Sequence, residues 1–180
     1  MKPQHAWRVA LLIAGLAPIA QLSHAAARGD VYGGISGGAS IPEGRLADEL
    51  DSGFAVGASF DAWYTRSDAA GLDFTFNRFG RKAGSDQASD HTNVAQLGLH
   101  DRRFVGSGRL QPFVMLGASM FSTPGQVNFG AEGGLGVSTQ LTSIVQFRIE
   151  GVGHDYWIDR SPRPYVTVAA SLLVRGADAW

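Results

Sequence analysis

Hydrophobic and polar residues alternate along most of the chain after its first 25 residues, in eight segments separated by turn-forming residues. The segments are residues 30–40, 53–64, 71–80, 93–104, 111–121, 128–140, 143–154 and 164–175. Each is close to the roughly 9–11 residues that a tilted β-strand needs to cross the hydrocarbon of a membrane. The pattern predicts an all-β fold, an eight-stranded antiparallel up-and-down transmembrane β-barrel.

The two faces of these segments differ in chemistry as well as in polarity. In the second segment Phe54, Val56 and Phe60 share the apolar face, whereas Ser59 and Asp61 share the polar one. The polar faces are rich in glycine and serine, which suit the narrow interior of an eight-stranded barrel. The fifth segment alone leaves the assignment of its faces undecided.

Charged residues occur singly in the middle of the polar faces. We predict that they form a charge network in the lumen, because an unpaired buried charge is strongly unfavourable. Its predicted members are Asp61, Asp73, Arg102, Glu132, Arg148 and Glu150. Arg148 is predicted to pair with Glu132, which lies one strand away on the same face.

Alternation alone also fits a soluble sheet, so a soluble periplasmic lipocalin-like barrel is an alternative architecture. Lysine usage favours the membrane. After residue 25 the chain contains one lysine, Lys82, whereas the surface of a soluble domain normally carries many.

The first 25 residues have the three parts of a secretory signal. Lys2 and Arg8 precede an apolar stretch at residues 9–20, which is shorter than the roughly 20 residues of a membrane-spanning helix. Small residues then precede a cleavage site. We predict a signal peptide at residues 1–25 and an outer-membrane β-barrel domain at residues 26–180.

Charge and cysteine content exclude some functions. The chain has 15 basic and 16 acidic residues, so removing Lys2 and Arg8 with the signal leaves 13 against 16, a net charge of −3. Such a chain lacks the basic surplus that nucleic acid phosphates require. The absence of cysteine fits an oxidising compartment without disulfides. We predict a monomer that binds no nucleic acid.

The gaps between segments predict the orientation, with the odd-numbered gaps long and external and the even-numbered gaps short and periplasmic. The odd-numbered gaps are 41–52, 81–92, 122–127 and 155–163, and the even-numbered gaps are 65–70, 105–110 and 141–142. Aromatic residues near the segment ends are expected to form girdles at the two membrane interfaces. They are Trp63, Tyr64, Phe79, Phe104, Phe121, Tyr156, Trp157 and Tyr165.

The last gap combines aromatic and basic residues. Exposed aromatics beside arginine suit contact with a protein or with lipopolysaccharide. The predicted external-loop contacts are Tyr156, Trp157, Arg160 and Arg163. Alternatively, Tyr156 and Trp157 are interfacial anchors in the membrane.

Several segments resemble the strands of small Gram-negative outer-membrane barrels, the group that includes the OmpX/Ail proteins and the transmembrane domain of OmpA. They include DVYGGISGGAS at 30–40, GLDFTFNRF at 71–79 and NFGAEGGLGVSTQLTS at 128–143. The resemblance implies an eight-stranded barrel in the outer membrane, usually without enzymatic activity. The predicted partners are outer-membrane lipid and lipopolysaccharide, the barrel assembly machinery, and a host or envelope protein contacted through external loops.

The C-terminus departs from that group. Trp180 supplies the usual terminal aromatic residue, but the four residues before it make a poor strand. Either the last strand ends near Arg175 and a short tail follows, or insertion depends on other features.

Metal and catalytic chemistry have little support in the sequence. His100 and His154 each precede an aspartate, but no metal-ligand spacing accompanies them, so we predict no metal and no cofactor. A lipid-modifying outer-membrane enzyme is the alternative function, with Ser138 or Ser171 beside a histidine and a lumen glutamate. We predict instead a non-enzymatic barrel with a structural, adhesive or protective role at the cell envelope.

Overall fold

The computed structural model describes residues 27–82, 90–158 and 161–176, which form a closed barrel of eight antiparallel strands. The strands are β1 (Val31–Pro42), β2 (Leu50–Trp63), β3 (Asp68–Arg81), β4 (His91–Phe104), β5 (Leu110–Thr123), β6 (Gln126–Gln140), β7 (Val145–Ile158) and β8 (Ser161–Arg175). Each strand pairs with the next, and β8 pairs with β1. The predicted up-and-down fold is confirmed. The predicted signal peptide and Trp180 lie outside the described residues.

The faces of the strands follow the predicted alternation. Phe54, Val56 and Phe60 are exposed on the outside of the barrel, whereas Ser59 and Asp61 are buried in the lumen. In β5 the structure resolves the undecided faces, with Val114 and Leu116 outward and Phe113 and Met115 inward. Because so many large apolar side chains would be unfavourable in water, the outer face is suited to contact with lipid chains.

The start of β1, the end of β8 and three turns lie at one end of the barrel, which we call the terminal end. The turns there are residues 64–67, 105–109 and 141–144. At the opposite loop end, connections 43–49 and 82–90 are long, as predicted, but 124–125 and 159–160 contain only two residues each. The prediction of four long external gaps is therefore wrong for the last two. Most of the residues assigned to these gaps extend the neighbouring strands and pair with each other, as Trp157 pairs with Pro162.

The first connection contains a short helix, α1 (Gly44–Glu49), which the sequence analysis missed. Leu46 and Leu50 are four residues apart and both are buried in the mouth of the barrel, on one face of the turn. Nη1 of Arg163 lies 2.7 Å from Oε1 of Glu49, which ties α1 to β8. No helix in the described part of the chain is long and apolar enough to cross a membrane.

Two clusters of aromatic and aliphatic side chains fill the lumen, one at each end. The terminal-end plug consists of Tyr32, Trp63, Ala69, Phe104, Phe113, Met115, Val152 and Leu173. The loop-end plug consists of Leu46, Leu50, Phe79, Val94, Phe121, Tyr156 and Tyr165. Ring centroids lie 4.2 Å apart for Trp63 and Phe104, and 4.9 Å apart for Phe121 and Tyr156.

These plugs correct the prediction of aromatic girdles. Six of the eight aromatic residues assigned to the girdles are buried inside the barrel: Trp63, Phe79, Phe104, Phe121, Tyr156 and Tyr165. Only Tyr64 and Trp157 are exposed. The six share the inward parity of the polar lumen residues, and at the strand ends that parity directs them into the lumen.

Glycines on the inward face leave room for larger side chains on neighbouring strands. A Cβ added to Gly117 would lie 2.7 Å from Oε1 of Glu132 and 2.9 Å from Cβ of His100. A Cβ added to Gly71 would overlap Asp61 and His100. The lumen is therefore filled by alternation of glycine with larger residues around the barrel.

We expect Gly117→Ala to destabilise the folded barrel by about 1–3 kcal/mol, because the added methyl overpacks a closed interior. The measurement is the midpoint of urea unfolding in lipid vesicles, followed by the gel mobility of unheated samples. Gly151→Ala is the control, since a Cβ there meets nothing within 4 Å. Equal midpoints for the two variants would show that the lumen at Gly117 is not closely packed.

Candidate functional site: the lumen charge network

The charged side chains of the lumen lie between the two plugs. Asp61 comes from β2, Asp73 from β3, Arg102 from β4, and Arg148 and Glu150 from β7. All five have the inward parity of their strands. The plugs remove water from both ends, so these charges interact in an environment of low polarity, where pairing is strong and an unpaired charge is costly.

Asp61 is the centre of the network and is 3% exposed. Its Oδ2 accepts a hydrogen bond from Nη1 of Arg148 at 2.6 Å. Its Oδ1 accepts a hydrogen bond from Nη1 of Arg102 and lies 3.0 Å from Nε2 of His100. Two guanidiniums and an imidazole therefore converge on one carboxylate.

Arg102 connects Asp61 to two further carboxylates. Its Nη2 lies 3.1 Å from Oδ2 of Asp73 and 3.3 Å from Oε2 of Glu150. The guanidinium carbons of Arg102 and Arg148 lie 5.9 Å and 6.0 Å from the ring centroid of Phe113 in the terminal-end plug. Phe113 therefore gives both cations an aromatic face on the terminal side.

Ion pairs link five of the six predicted members, whereas Glu132 forms none with them among the described residues. The predicted pairing of Arg148 with Glu132 is wrong. Arg148 of β7 is in register with Ser138 of β6, whereas Glu132 of β6 is in register with His154 of β7. These two pairs lie six residues apart along the strands. At about 3.3 Å per residue, this offset separates their backbones by about 20 Å along the strand.

Glu132 belongs instead to a polar group on the loop side of the network. It accepts hydrogen bonds from Nε2 of Gln96 at 2.5 Å and from Oγ of Ser119 at 2.7 Å. Nδ1 of His154 lies 3.5 Å from its Oε2. Gln96, Ser119 and His100 were not predicted as members of the network. The alternation placed Gln96 and His100 on a polar face, whereas Ser119 lies in the fifth segment, whose faces were undecided.

One row of paired residues connects these groups around the wall. Starting from Asp61, it continues through Gly71, His100, Gly117 and Glu132 and ends at His154 and Tyr165. A glycine separates Asp61 from His100, and another separates His100 from Glu132. From β2 to β6 the row therefore places a polar side chain on alternate strands and leaves space between them, whereas β6, β7 and β8 each contribute a large side chain.

The enzymatic alternative requires a nucleophile in contact with a base. Oγ of Ser138 lies 3.5 Å from the carbonyl oxygen of Phe147, towards the terminal end. Oγ of Ser171 has no hydrogen-bond partner among the described residues. Neither serine therefore forms the contact with His100 or His154 that the alternative needs.

The predicted external-loop contacts also change. Tyr156 is 2% exposed and belongs to the loop-end plug, so its prediction as an external contact is wrong. It lies on β7, where its parity directs it inward. Trp157 is 46% exposed on the outer face, Arg163 pairs with Glu49, and Arg160 lies outside the described residues.

A closed eight-stranded barrel with an apolar exterior, a charged lumen and plugged ends defines the class of small outer-membrane β-barrels by fold. The chain is similar to the crystal structure of Neisserial surface protein A, with a TM-score of 0.60 and 14% identity over 81% of this chain and 96% of that chain.

It is also similar to the N-terminal barrel domain of Pseudomonas aeruginosa OprF, with a TM-score of 0.53 and 14% identity over 84% of this chain and 100% of that chain. For the outer membrane protein AlkL, solved in lipid bilayers, the TM-score is 0.50 and the identity 10%, over 89% of this chain and 93% of that chain. No family model and no curated protein sequence matches the chain. The predicted resemblance to small outer-membrane barrels is confirmed at the level of the fold.

We expect Arg148→Met to destabilise the barrel by about 3–5 kcal/mol, because it leaves Asp61 with one buried guanidinium fewer. The measurement is the temperature at which the detergent-solubilised barrel loses its folded gel mobility. Arg163→Met is the control, since the half-exposed pair with Glu49 contributes only about 0–1 kcal/mol.

A second replacement separates loss of charge pairing from loss of packing. Adding Asp61→Asn to Arg148→Met removes the excess acid and should recover part of the lost stability. If the single variant unfolds at the wild-type temperature, Asp61 does not depend on Arg148.

Proposed function

We propose that the protein is a non-enzymatic outer-membrane β-barrel with a closed lumen and a structural, adhesive or protective role at the cell envelope. The observation that carries the proposal is the filled interior, with an aromatic plug at each end and a charge network between them. A wall of this kind fixes a rigid cylinder in the membrane and leaves its outer surface and loop end for interaction.

The space inside the barrel supports a role without transport. A cavity of about 40 Å³ lies in the middle of the lumen, lined among others by Asp73, Glu132, Arg148 and His154. Since a single water occupies about 10–15 Å³ on this measure, the cavity has room for about three waters and not for a nutrient molecule. Arg102 and Arg148 cross the lumen, and Leu46 of α1 closes its mouth.

The outer surface supports partners in the membrane. Large apolar side chains face outward along all eight strands, which fits outer-membrane lipid. At the loop end Arg78 is exposed on the outer face, with its Nη2 3.2 Å from Nδ1 of His91. A cationic side chain in that position suits the phosphates of lipopolysaccharide. Trp157 on the same rim suits an interfacial anchor or a host or envelope protein.

The first test of the proposal is location and folding in the cell. We expect recovery in the outer-membrane fraction, with faster gel migration before heating than after heating, because a closed barrel keeps its compact shape in cold detergent. A soluble periplasmic product whose migration is unchanged by heating would contradict the proposal and favour the lipocalin-like alternative.

The second test is conductance. In planar bilayers we expect the folded protein to produce no stable unitary current steps, because both ends and the centre of the lumen are filled. Insertion of folded protein is verified by the heat-dependent gel shift of the same vesicles. Reproducible steps from verified barrels would show that the plugs open, and the closed-barrel proposal would then fail.

A further inference from the structure

The lumen contains more acid than base. Four buried or nearly buried carboxylates, from Asp61, Asp73, Glu132 and Glu150, face the guanidiniums of two arginines, Arg102 and Arg148. With the histidines neutral, the formal charge is −4 + 2 = −2. An excess of this kind inside a membrane-embedded wall requires compensation, because burying uncompensated charge is strongly unfavourable.

Glu132 is the carboxylate of this group that lacks an arginine partner among the described residues. Within residues 27–82, 90–158 and 161–176 it forms no salt bridge with an arginine or a lysine. It is 5% exposed, and its Oε1 has no hydrogen-bond partner. That oxygen lies in the space left by two glycines, since an added Cβ would approach it to 2.8 Å at Gly98 and 2.7 Å at Gly117.

Glu132 and two further donor groups converge in this part of the lumen. Ligand atoms of Asp73, His100 and Glu132 all lie within 4.8 Å of one another. The row of paired residues explains the convergence of His100 and Glu132, because only Gly117 separates them around the wall. Asp73 reaches the same place from β3, one strand before His100.

The ring of His100 is held in an orientation suited to binding a cation. Its Nε2 lies 3.0 Å from Oδ1 of Asp61. Its Nδ1 lies 3.0 Å from Oδ2 of Asp73 and forms no hydrogen bond within the described part of the chain. Nε2 also contacts Nη1 of Arg102, which can only donate. Metal binding therefore uses the tautomer whose Nε2 proton is directed at Asp61, which leaves the lone pair on Nδ1 directed towards Asp73. A carboxylate that fixes one ring nitrogen while the other binds the ion is a recurrent feature of metal sites.

We propose that Asp73, His100 and Glu132 bind one divalent cation inside the barrel. One imidazole nitrogen and two carboxylates form a donor set suited to Zn²⁺ and related first-row ions. The ion adds +2 and brings the lumen to formal neutrality. Arg102 shares Asp73 with the ion, with its Nη2 3.1 Å from Oδ2, and Asp61 positions His100 without touching the metal. The site goes beyond the proposed envelope role, which does not depend on it.

The rival account is protonation of both buried histidines, His100 and His154, which supplies the same charge without a metal. Its consequences differ, since an imidazolium has no lone pair for a metal and a chelator would then leave the stability unchanged. The two accounts therefore give opposite results in one experiment.

The experiment uses the full protein purified from outer membranes, unfolded in urea with EDTA to remove metal, and refolded in detergent with or without Zn²⁺. After gel filtration, zinc per folded barrel is measured by mass spectrometry, and the unfolding temperature by loss of folded gel mobility. We expect one zinc ion per barrel and a higher unfolding temperature in the zinc-refolded sample.

Glu132→Gln is the diagnostic variant, because the amide keeps the size of the side chain and an oxygen for Gln96 and Ser119. It should fold, as its heat-dependent gel shift will show, but lose the bound zinc and its effect on the unfolding temperature. His91→Gln is the control for binding at a histidine on the loop-end rim and should retain the zinc.

Two results would overturn the proposal. One is a wild-type barrel refolded with Zn²⁺ that carries no zinc and unfolds at the same temperature as the EDTA sample. The other is a folded Glu132→Gln barrel that retains the wild-type zinc content. Should Glu132→Gln fail to fold, His100→Asn provides the same comparison.

Discussion

Closure of eight strands into one wall is the constraint on which the other features depend. A barrel of this size leaves an interior that side chains alone can fill, so every second residue of a strand faces the lumen whether it is polar or not. Asp61, Arg102 and Arg148 are therefore removed from water by the geometry of the wall. Once buried, each charge requires a partner across the lumen, and the partners connect strands that are not neighbours, such as β2 and β7.

The plugs and the charge network depend on each other. Phe113 and Tyr165 exclude water from the two ends, and exclusion of water strengthens the attraction between Asp61 and its guanidiniums. The network in turn fills the centre of the lumen. Aromatic rings in its place would leave no space for polar residues such as Ser119 and Gln96. Gly71 and Gly117 allow both arrangements, since each leaves room for larger side chains on neighbouring strands.

The alternation predicted which face of a strand each side chain occupies, but not which side chains of different strands meet. Parity along one strand assigned Phe54 to the outside and Asp61 to the lumen, because neighbouring side chains in a strand always point to opposite faces. The partner of Arg148 could not be predicted in this way, because it depends on the register between β6 and β7 and on the width of the lumen. Tyr156 shows a further limit. Its parity indicated the lumen, whereas its position near a strand end suggested a membrane girdle. The side chain is buried in the lumen, as its parity indicated.

Stability alone does not account for the composition of the network. Buried ion pairs contribute little net stability compared with apolar residues of similar volume. Apolar side chains would therefore fill the interior with equal or greater stability than four carboxylates and two guanidiniums. Asp61, Arg102 and Arg148 form a compact set whose charges largely compensate one another. Glu132 lies outside that set, beside His100, and its Oε1 has no hydrogen-bond partner among the residues that the structure describes. A cation at that point would compensate the remaining acid, and because binding would require the folded wall, its binding energy would also stabilise the fold.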